Sequence, residues 1–127
     1  MAVYMVTGGG GFIGSHIVEN LVRQRNTVKV IDNFSTGKHQ NVAAFRNDVE
    51  MIEADLAETK NLSQFLKGVD YVIHQAAIPS VPKSILDPLK SHHANVNGTL
   101  SLLLACRDAG VKRLVYASYC IGPKSPI

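Results

Sequence analysis

The sequence predicts an α/β fold, a doubly wound parallel sheet of about five strands in the order 3-2-1-4-5. Two observations carry that prediction. Short apolar runs rich in β-branched residues alternate with helical patterns from end to end, which specifies parallel strands joined by helices that cover both faces of the sheet. The first such run stops at four consecutive glycines and a helical pattern follows at once. Right-handed crossovers then leave few topologies, of which this strand order is the natural one.

Val3–Thr7 is the first strand, cut off by Gly8–Gly11. Ile13, Ile17 and Leu21 then recur every four residues with Val18 and Val22 beside them, the spacing of an apolar helix face. Asn26 is expected to end that helix, since asparagine tolerates the left-handed conformation. Val28–Asp32 is the second strand, followed by a turn-rich stretch, Asn33–Gly37, and a weak helix over Asn41–Phe45. Val49–Ala54 reads as the third strand, and Lys60–Lys67 as a short helix closed by Gly68. Asp70–His74 is the fourth strand, and a loop holding Pro79 and Pro82 comes next. Pro88 suits the first turn of a long helix, where a missing N–H costs little. That helix runs to about Ala109, with Val96, Leu100, Leu103 and Leu104 as its apolar face, and Gly110 ends it. Leu114–Ala117 is the fifth strand, and Gly122–Ile127 reads as a loop.

The 127 residues suit one domain with one core. A formal charge of +3 is spread along the chain, with no basic run beyond Lys112-Arg113, which argues against nucleic acid and suits a substrate that carries phosphates. Cys106 and Cys120 form no CxxC pair and read as free buried thiols of a reducing cytoplasm. The amino terminus lacks the pattern of a signal peptide, and no apolar run approaches the ~20 residues needed to span a bilayer. A cytoplasmic protein without membrane contact is the expectation.

The segment Thr7-Gly8-Gly9-Gly10-Gly11-Phe12-Ile13-Gly14 carries the chemistry. It fits both Gly9-x-Gly11-x-x-Gly14 and Gly8-x-x-Gly11-x-x-Gly14. Glycine allows the tight turn out of the strand and removes the β-carbon that would block a pyrophosphate, and Gly14 lets the helix press against the sheet. Free N–H groups around Phe12 and Ile13 would then face the phosphates, with the helix dipole in support. Asp32, at the end of the second strand, lies near the ~20-residue offset of an acid that binds the adenosine ribose. A carboxylate there accepts from both ribose hydroxyls and repels a 2′-phosphate, which favours NAD over NADP, although Lys38 nearby keeps NADP in play. The rival reading is a plain flexible turn with a strand-end aspartate.

Longer stretches carry a resemblance. Thr7-Gly8-x-x-Gly11-Phe12-Ile13-Gly14-Ser15-His16, Asp32-Asn33-Phe34-Ser35-Thr36-Gly37 and Val72-Ile73-His74-Gln75-Ala76-Ala77 resemble the extended branch of the short-chain dehydrogenase/reductase superfamily, whose cofactor domain is a Rossmann fold. Ser80-Val81-Pro82-Lys83-Ser84, Asp87-Pro88, Asn95-Val96-Asn97-Gly98-Thr99 and Val111–Ser118 narrow it to the NAD-dependent epimerases and dehydratases, most similar to UDP-hexose 4-epimerases, including those for N-acetylated sugars. The resemblance implies that Phe12 and Ile13 donate to the pyrophosphate and that Gly8, Gly11 and Gly14 shape the loop. It implies Asp32 on the ribose, with Asn33, Ser35, Thr36 and Gly37 around the adenosine. Asp55 and Leu56 would hold the adenine edge. Gln75, Ala76 and Ala77 would run under the nicotinamide ribose, with Asn95 near the cofactor. Asp55 also reads as a turn cap, and Ala76-Ala77 as strand packing.

The chain departs from the family where the reaction occurs. The resembling enzymes use a Tyr-x-x-x-Lys pair in a helix after the fifth strand, whereas Tyr119 and Lys124 are five apart and Tyr116 has Cys120 four residues on. Either Ser118 or Tyr119 would fill the position of the family's catalytic hydroxyl. No catalytic residue is assigned. The chain reads as the amino-terminal part of such an enzyme, with the later strands and the substrate domain missing. It would bind NAD within a UDP-sugar 4-epimerase and be inactive alone. A 4,6-dehydratase or decarboxylase, and a non-catalytic NAD-binding module or remnant, are the alternatives. The resemblance also implies a homodimer, and a bare helix stripe would favour self-association. His92-His93 is spaced wrongly for a shared metal, His16 and His39 read as surface or cap residues, and His74 as strand-end packing.

Overall fold

The structure, a computed structural model, describes residues 1–117. Five strands, β1 (Val3–Thr7), β2 (Thr27–Asp32), β3 (Val49–Glu53), β4 (Tyr71–His74) and β5 (Arg113–Tyr116), form one parallel sheet in the order β3-β2-β1-β4-β5. The predicted class and order are therefore the observed ones. Helices α1 (Phe12–Arg23), α2 (His39–Val42), α3 (Leu62–Phe65), α4 (Val81–Leu86), α5 (Pro88–His92) and α6 (Gly98–Ala109) connect them. A 3₁₀ turn, Ala43–Asp48, follows α2, and a wide turn, His93–Asn97, joins α5 to α6.

Alternation along the strands sends side chains to two cores. Met5, Ile31, Ile52 and Val72 meet Leu62, Leu66, Leu102, Ala105 and Cys106 on one face. Val6, Val28 and Val30 meet Val18, Leu21, Val42 and Phe45 on the other. A sheet with apolar residues on both sides must be covered on both sides, so α1 and α2 take one face and α3 and α6 the other. At the amino edge Asp70 ties three strands. Its carboxylate accepts the Val3 N–H at 2.9 Å and meets Lys112 at 3.2 Å, and those two contacts, the amide first, lower its pKa.

Four local expectations change. Pro79–Pro82 is not all loop: Ser80 accepts the Lys83 N–H and starts α4, with Pro82 in the first turn. Proline marks a helix start there because first-turn amides need no partner. Arg25, not Asn26, takes the left-handed turn after α1 (φ 64°). Arg25 N–H donates to Val22 C=O and Asn26 N–H to Leu21 C=O, the paired bonds of a Schellman end. The helix from Pro88 is interrupted at His93–Asn97, where the Thr99 hydroxyl donates to the Asn95 carbonyl at 2.6 Å and occupies the ladder's acceptor. Its apolar face is also different. Leu102, Ala105 and Cys106 are buried, whereas Val96, Leu100, Leu103 and Leu104 are exposed by 42–54%. Both stripes are apolar, so spacing alone did not distinguish them. Burial pushes the Cys106 thiol up to about 11, which keeps it protonated and inert.

Leu102→Ala should cost about 2–5 kcal/mol of unfolding free energy. Leu103→Ala should cost less than about 0.5 kcal/mol. Urea titration of both variants checks the assignment, and equal costs would refute it.

Candidate functional site

The carboxyl ends of β1, β2 and β4 converge on the glycine loop. Gly8 takes a left-handed backbone (φ 69°), and a β-carbon there would stand 2.7 Å from the Ala76 nitrogen. At Gly14 a β-carbon would stand 2.1 Å from the Gly8 carbonyl oxygen. The close approach is thus of helix to loop rather than of helix to sheet. Gly11 differs: a β-carbon there meets only the Gly8 oxygen, at 3.3 Å, and otherwise points into open space. The loop is braced by Gly11 N–H to Gly8 C=O at 3.0 Å, and the first helical bond is Ser15 N–H to Gly11 C=O at 2.9 Å. The amides of Phe12, Ile13 and Gly14 take no backbone acceptor among the described residues. The Phe12 and Ile13 side chains are exposed.

Asp32 is buried beside this loop. One carboxylate oxygen accepts the Gly10 N–H at 2.8 Å and the other the Phe34 N–H at 2.8 Å. A carboxylate offers about four lone-pair sites, so one on each oxygen is left. Beyond it the chain folds back. Asn33 accepts from Ser35 N–H at 3.0 Å and donates to Asp55 at 3.2 Å. Gly37 packs on Gly10, and Phe34 stacks on His39 with ring centres 3.9 Å apart. Asp55 also accepts the Ala57 N–H at 2.8 Å, so it is a turn cap as well as a partner of Asn33. Leu56 contributes its side chain to the core. Ser35 and Thr36 line a groove of about 250 Å³ with Ile78, Lys83, Leu86 and Asp87. A larger depression of about 520 Å³ lies over β4 and β5 and contains none of the predicted site residues.

The segment after β4 is held from two sides. Gln75 and Ala76 N–H both donate to the Thr7 hydroxyl, at 3.0 and 3.1 Å. Asn95 grips Ile78, accepting its N–H at 2.7 Å and donating to its C=O at 3.1 Å. Gln75 and Ala76 are half-buried and Ala77 is exposed. The structure therefore brings the glycine loop, Asp32–Gly37, Asp55 and Gln75–Ala77 together, with Asn95 acting on Ile78. Ser118, Tyr119, Cys120 and Lys124 lie outside the described residues.

Sequence reasoning missed the part played by Thr7, His74 and Thr99. His74 is buried, 2.6 Å from the Thr7 hydroxyl and 2.8 Å from that of Thr99. It is a hydrogen-bonded hub rather than plain packing. Thr7 and His74 end adjacent strands in register, a signal that laying the two motifs side by side would have exposed. His93 instead pairs with Glu58.

Burial holds the His74 pKa below the ordinary 6.5. Below about pH 6.5 the unfolded chain binds a proton that the folded chain refuses, so stability is full above that value and is lost as pH falls toward the folded pKa. The urea midpoint should drop between about pH 7.5 and about pH 5.5, and the drop should shrink in His74→Gln. An identical slope in the variant would assign the effect to other groups.

Comparison with known proteins agrees with this geometry. The UDP-glucose 4-epimerase of Lactobacillus helveticus is 40% identical over 129 residues, 97% of this chain and 38% of that protein. Among solved structures, the UDP-N-acetylglucosamine 4-epimerase of Methanobrevibacter ruminantium M1, in complex with UDP-N-acetylmuramic acid, superposes with a TM-score of 0.86 at 37% identity, covering 99% of this chain and 42% of that one. The UDP-glucose 4-epimerase of Thermus thermophilus in complex with NAD gives 0.85 at 40% identity, covering 97% and 41%. The chain spans 35–38% of the length of the first three curated relatives it matches, and 80% and 95% of two others. No helix among the described residues is long and apolar enough to cross a membrane. The strand order, the glycine loop and these likenesses meet in one assignment: with residues 4–125 matching it, the chain belongs to the NAD dependent epimerase/dehydratase family.

Proposed function

We propose that this chain binds NAD and serves as the cofactor half of a nucleotide-sugar 4-epimerase acting on a UDP-hexose. The observation that carries the reading is the start of α1. Three amides without backbone acceptors lie beside a glycine whose missing β-carbon leaves open space, and a helix amino terminus of this kind favours a pyrophosphate. Phe12 and Ile13 would donate to it, Gly11 leaves room for it, and Gly8 and Gly14 allow the close backbone packing that shapes the loop. The free lone pairs of Asp32 would accept the ribose hydroxyls, and its charge would oppose a 2′-phosphate. Asn33, Ser35, Thr36 and Gly37 would border the adenosine, Asp55 and Leu56 the adenine. Gln75, Ala76 and Ala77 would support the nicotinamide ribose, with Asn95 holding that segment in place. When bound, NAD would supply the hydride-accepting and hydride-donating chemistry that inversion at sugar C4 needs. The protein's part is placement. No Tyr-x-x-x-Lys pair occurs in residues 1–127, so we propose that this stretch binds cofactor and does not itself turn over substrate.

Calorimetry with NAD⁺ and NADP⁺ tests the reading. NAD⁺ should bind more tightly than NADP⁺. Asp32→Ala should weaken NAD⁺ roughly 10- to 100-fold, the worth of hydrogen bonds to a charged group. Gly11→Ala should keep the fold, by circular dichroism, and lose affinity. Equal affinity in all three proteins would remove the site from this loop.

We also propose that the protein forms a homodimer through α6, whose exposed Leu100, Leu103 and Leu104 form a contiguous apolar stripe of the kind that marks an interface. Sedimentation velocity should show a concentration-dependent dimer that Leu103→Asp abolishes. A monomer at every concentration would refute it.

A further inference from the structure

The chain of hydrogen bonds through His74 has directions that its partners dictate. The Thr7 hydroxyl oxygen receives the Gln75 N–H at 3.0 Å and the Ala76 N–H at 3.1 Å. The Gln75 N–H is shared with the Thr7 backbone carbonyl, 3.1 Å away, and since backbone amides only donate, neither amide can take the hydroxyl proton. Its single proton is left for its third neighbour, His74 Nδ1 at 2.6 Å. Nδ1 is therefore an acceptor. On the other side, Thr99 Oγ1 lies 2.6 Å from the Asn95 carbonyl oxygen, which only accepts, and the hydroxyl proton is spent there. Thr99 Oγ1 must then accept from His74 Nε2, 2.8 Å away. The two ends of the ring, read independently, require the same state.

We propose that His74 is a positioning residue, locked as the neutral Nε2–H tautomer, that couples α6 to the Gln75–Ile78 segment bordering the cofactor site. The role toward the cofactor rests on the NAD reading above, whereas the tautomer does not. Thr7 holds both amides only while Nδ1 takes its proton. A proton on Nδ1 would compete with the amides for that oxygen's lone pairs, and the Ala76 N–H, which has no backbone carbonyl to share as Gln75 does, would be displaced. The far end of the segment is gripped by the Asn95 side chain, and the Asn95 carbonyl is where the chain of bonds ends. One imidazole thus links both anchors. Its hydrogen-bond partners are two neutral threonines, and its neighbour in register on β5 is Tyr116. Among the described residues no buried side-chain nitrogen or oxygen is left without a partner.

The test begins with the unmodified protein. Long-range ¹H–¹⁵N correlation spectra of ¹⁵N-histidine-labelled protein should show His74 protonated at Nε2 and bare at Nδ1. A proton on Nδ1, or a mixture of tautomers, would overturn the proposal. Thr99→Val removes the acceptor of the Nε2–H and leaves Thr7 and the glycine loop intact. Solvent exchange of the Ala76 amide should then rise roughly 2- to 10-fold, the worth of one hydrogen bond, while the Val30 amide in β2 keeps its rate. The NAD⁺ dissociation constant should rise by a similar factor. An unchanged Ala76 rate would refute the positioning role. If the unmodified protein shows the Nε2–H tautomer yet binds no NAD⁺, the NAD reading fails and the network assignment stands.

Discussion

The carboxyl edge of the sheet depends on how closely the first turn of α1 lies on the glycine loop. Only a residue without a β-carbon fits at position 14, because that atom would stand 2.1 Å from the Gly8 oxygen. Gly8 in turn is pressed against the backbone of Gln75 and Ala76. The loop is therefore clamped between a helix and the segment leaving β4, and neither neighbour can move without the other. Backbone at this distance cannot be relaxed by changing a rotamer. The placement of the α1 amides follows from it, and so does the space left above Gly11.

Polar side chains around the loop are mostly committed to backbone. Asp32 holds Gly10 and Phe34, Asn95 holds Ile78, and Thr7 holds Gln75 and Ala76. These bonds fix the walls of the cleft. A cleft organised in this way would spend little ordering entropy on a ligand, one of the costs of binding. The same commitment explains why a buried aspartate is tolerated: each oxygen has an amide to meet it.

Most of this was legible in the residues. The strands alternate as a doubly wound sheet requires, and Thr7–Gly14 and Asp32 announce themselves by type and spacing. Gly110 ends α6 as read, in a left-handed turn, whereas α3 stops at Phe65 and the left-handed Gly68 lies three residues beyond. What resisted reading has physical causes. Arg25 adopts the left-handed conformation because the paired carbonyls at the end of α1 outweigh the strain on a side chain of that kind. Pro82 reads as a breaker until Ser80 is seen to cap a new helix. α6 carries leucines on two sides, and only the sheet decides which side is buried. His74 was read as packing because the groups that need it, on β1 and α6, are 67 and 25 residues away in sequence. Long-range hydrogen bonds leave no periodic trace.

The wide turn at His93–Asn97 separates the azimuth of α5 from that of α6. An α-helix advances ~100° per residue, so one extra residue in a turn rotates everything before it by about that angle relative to everything after it. The sheet dictates how α6 sits, through Leu102, Ala105 and Cys106. The loop after β4 dictates how the preceding turn must sit, through Asn95 and Ile78. A straight helix would have to satisfy both demands with one phase. The surplus residue works as a vernier between them, and selection can therefore adjust the cleft wall and the core contact separately.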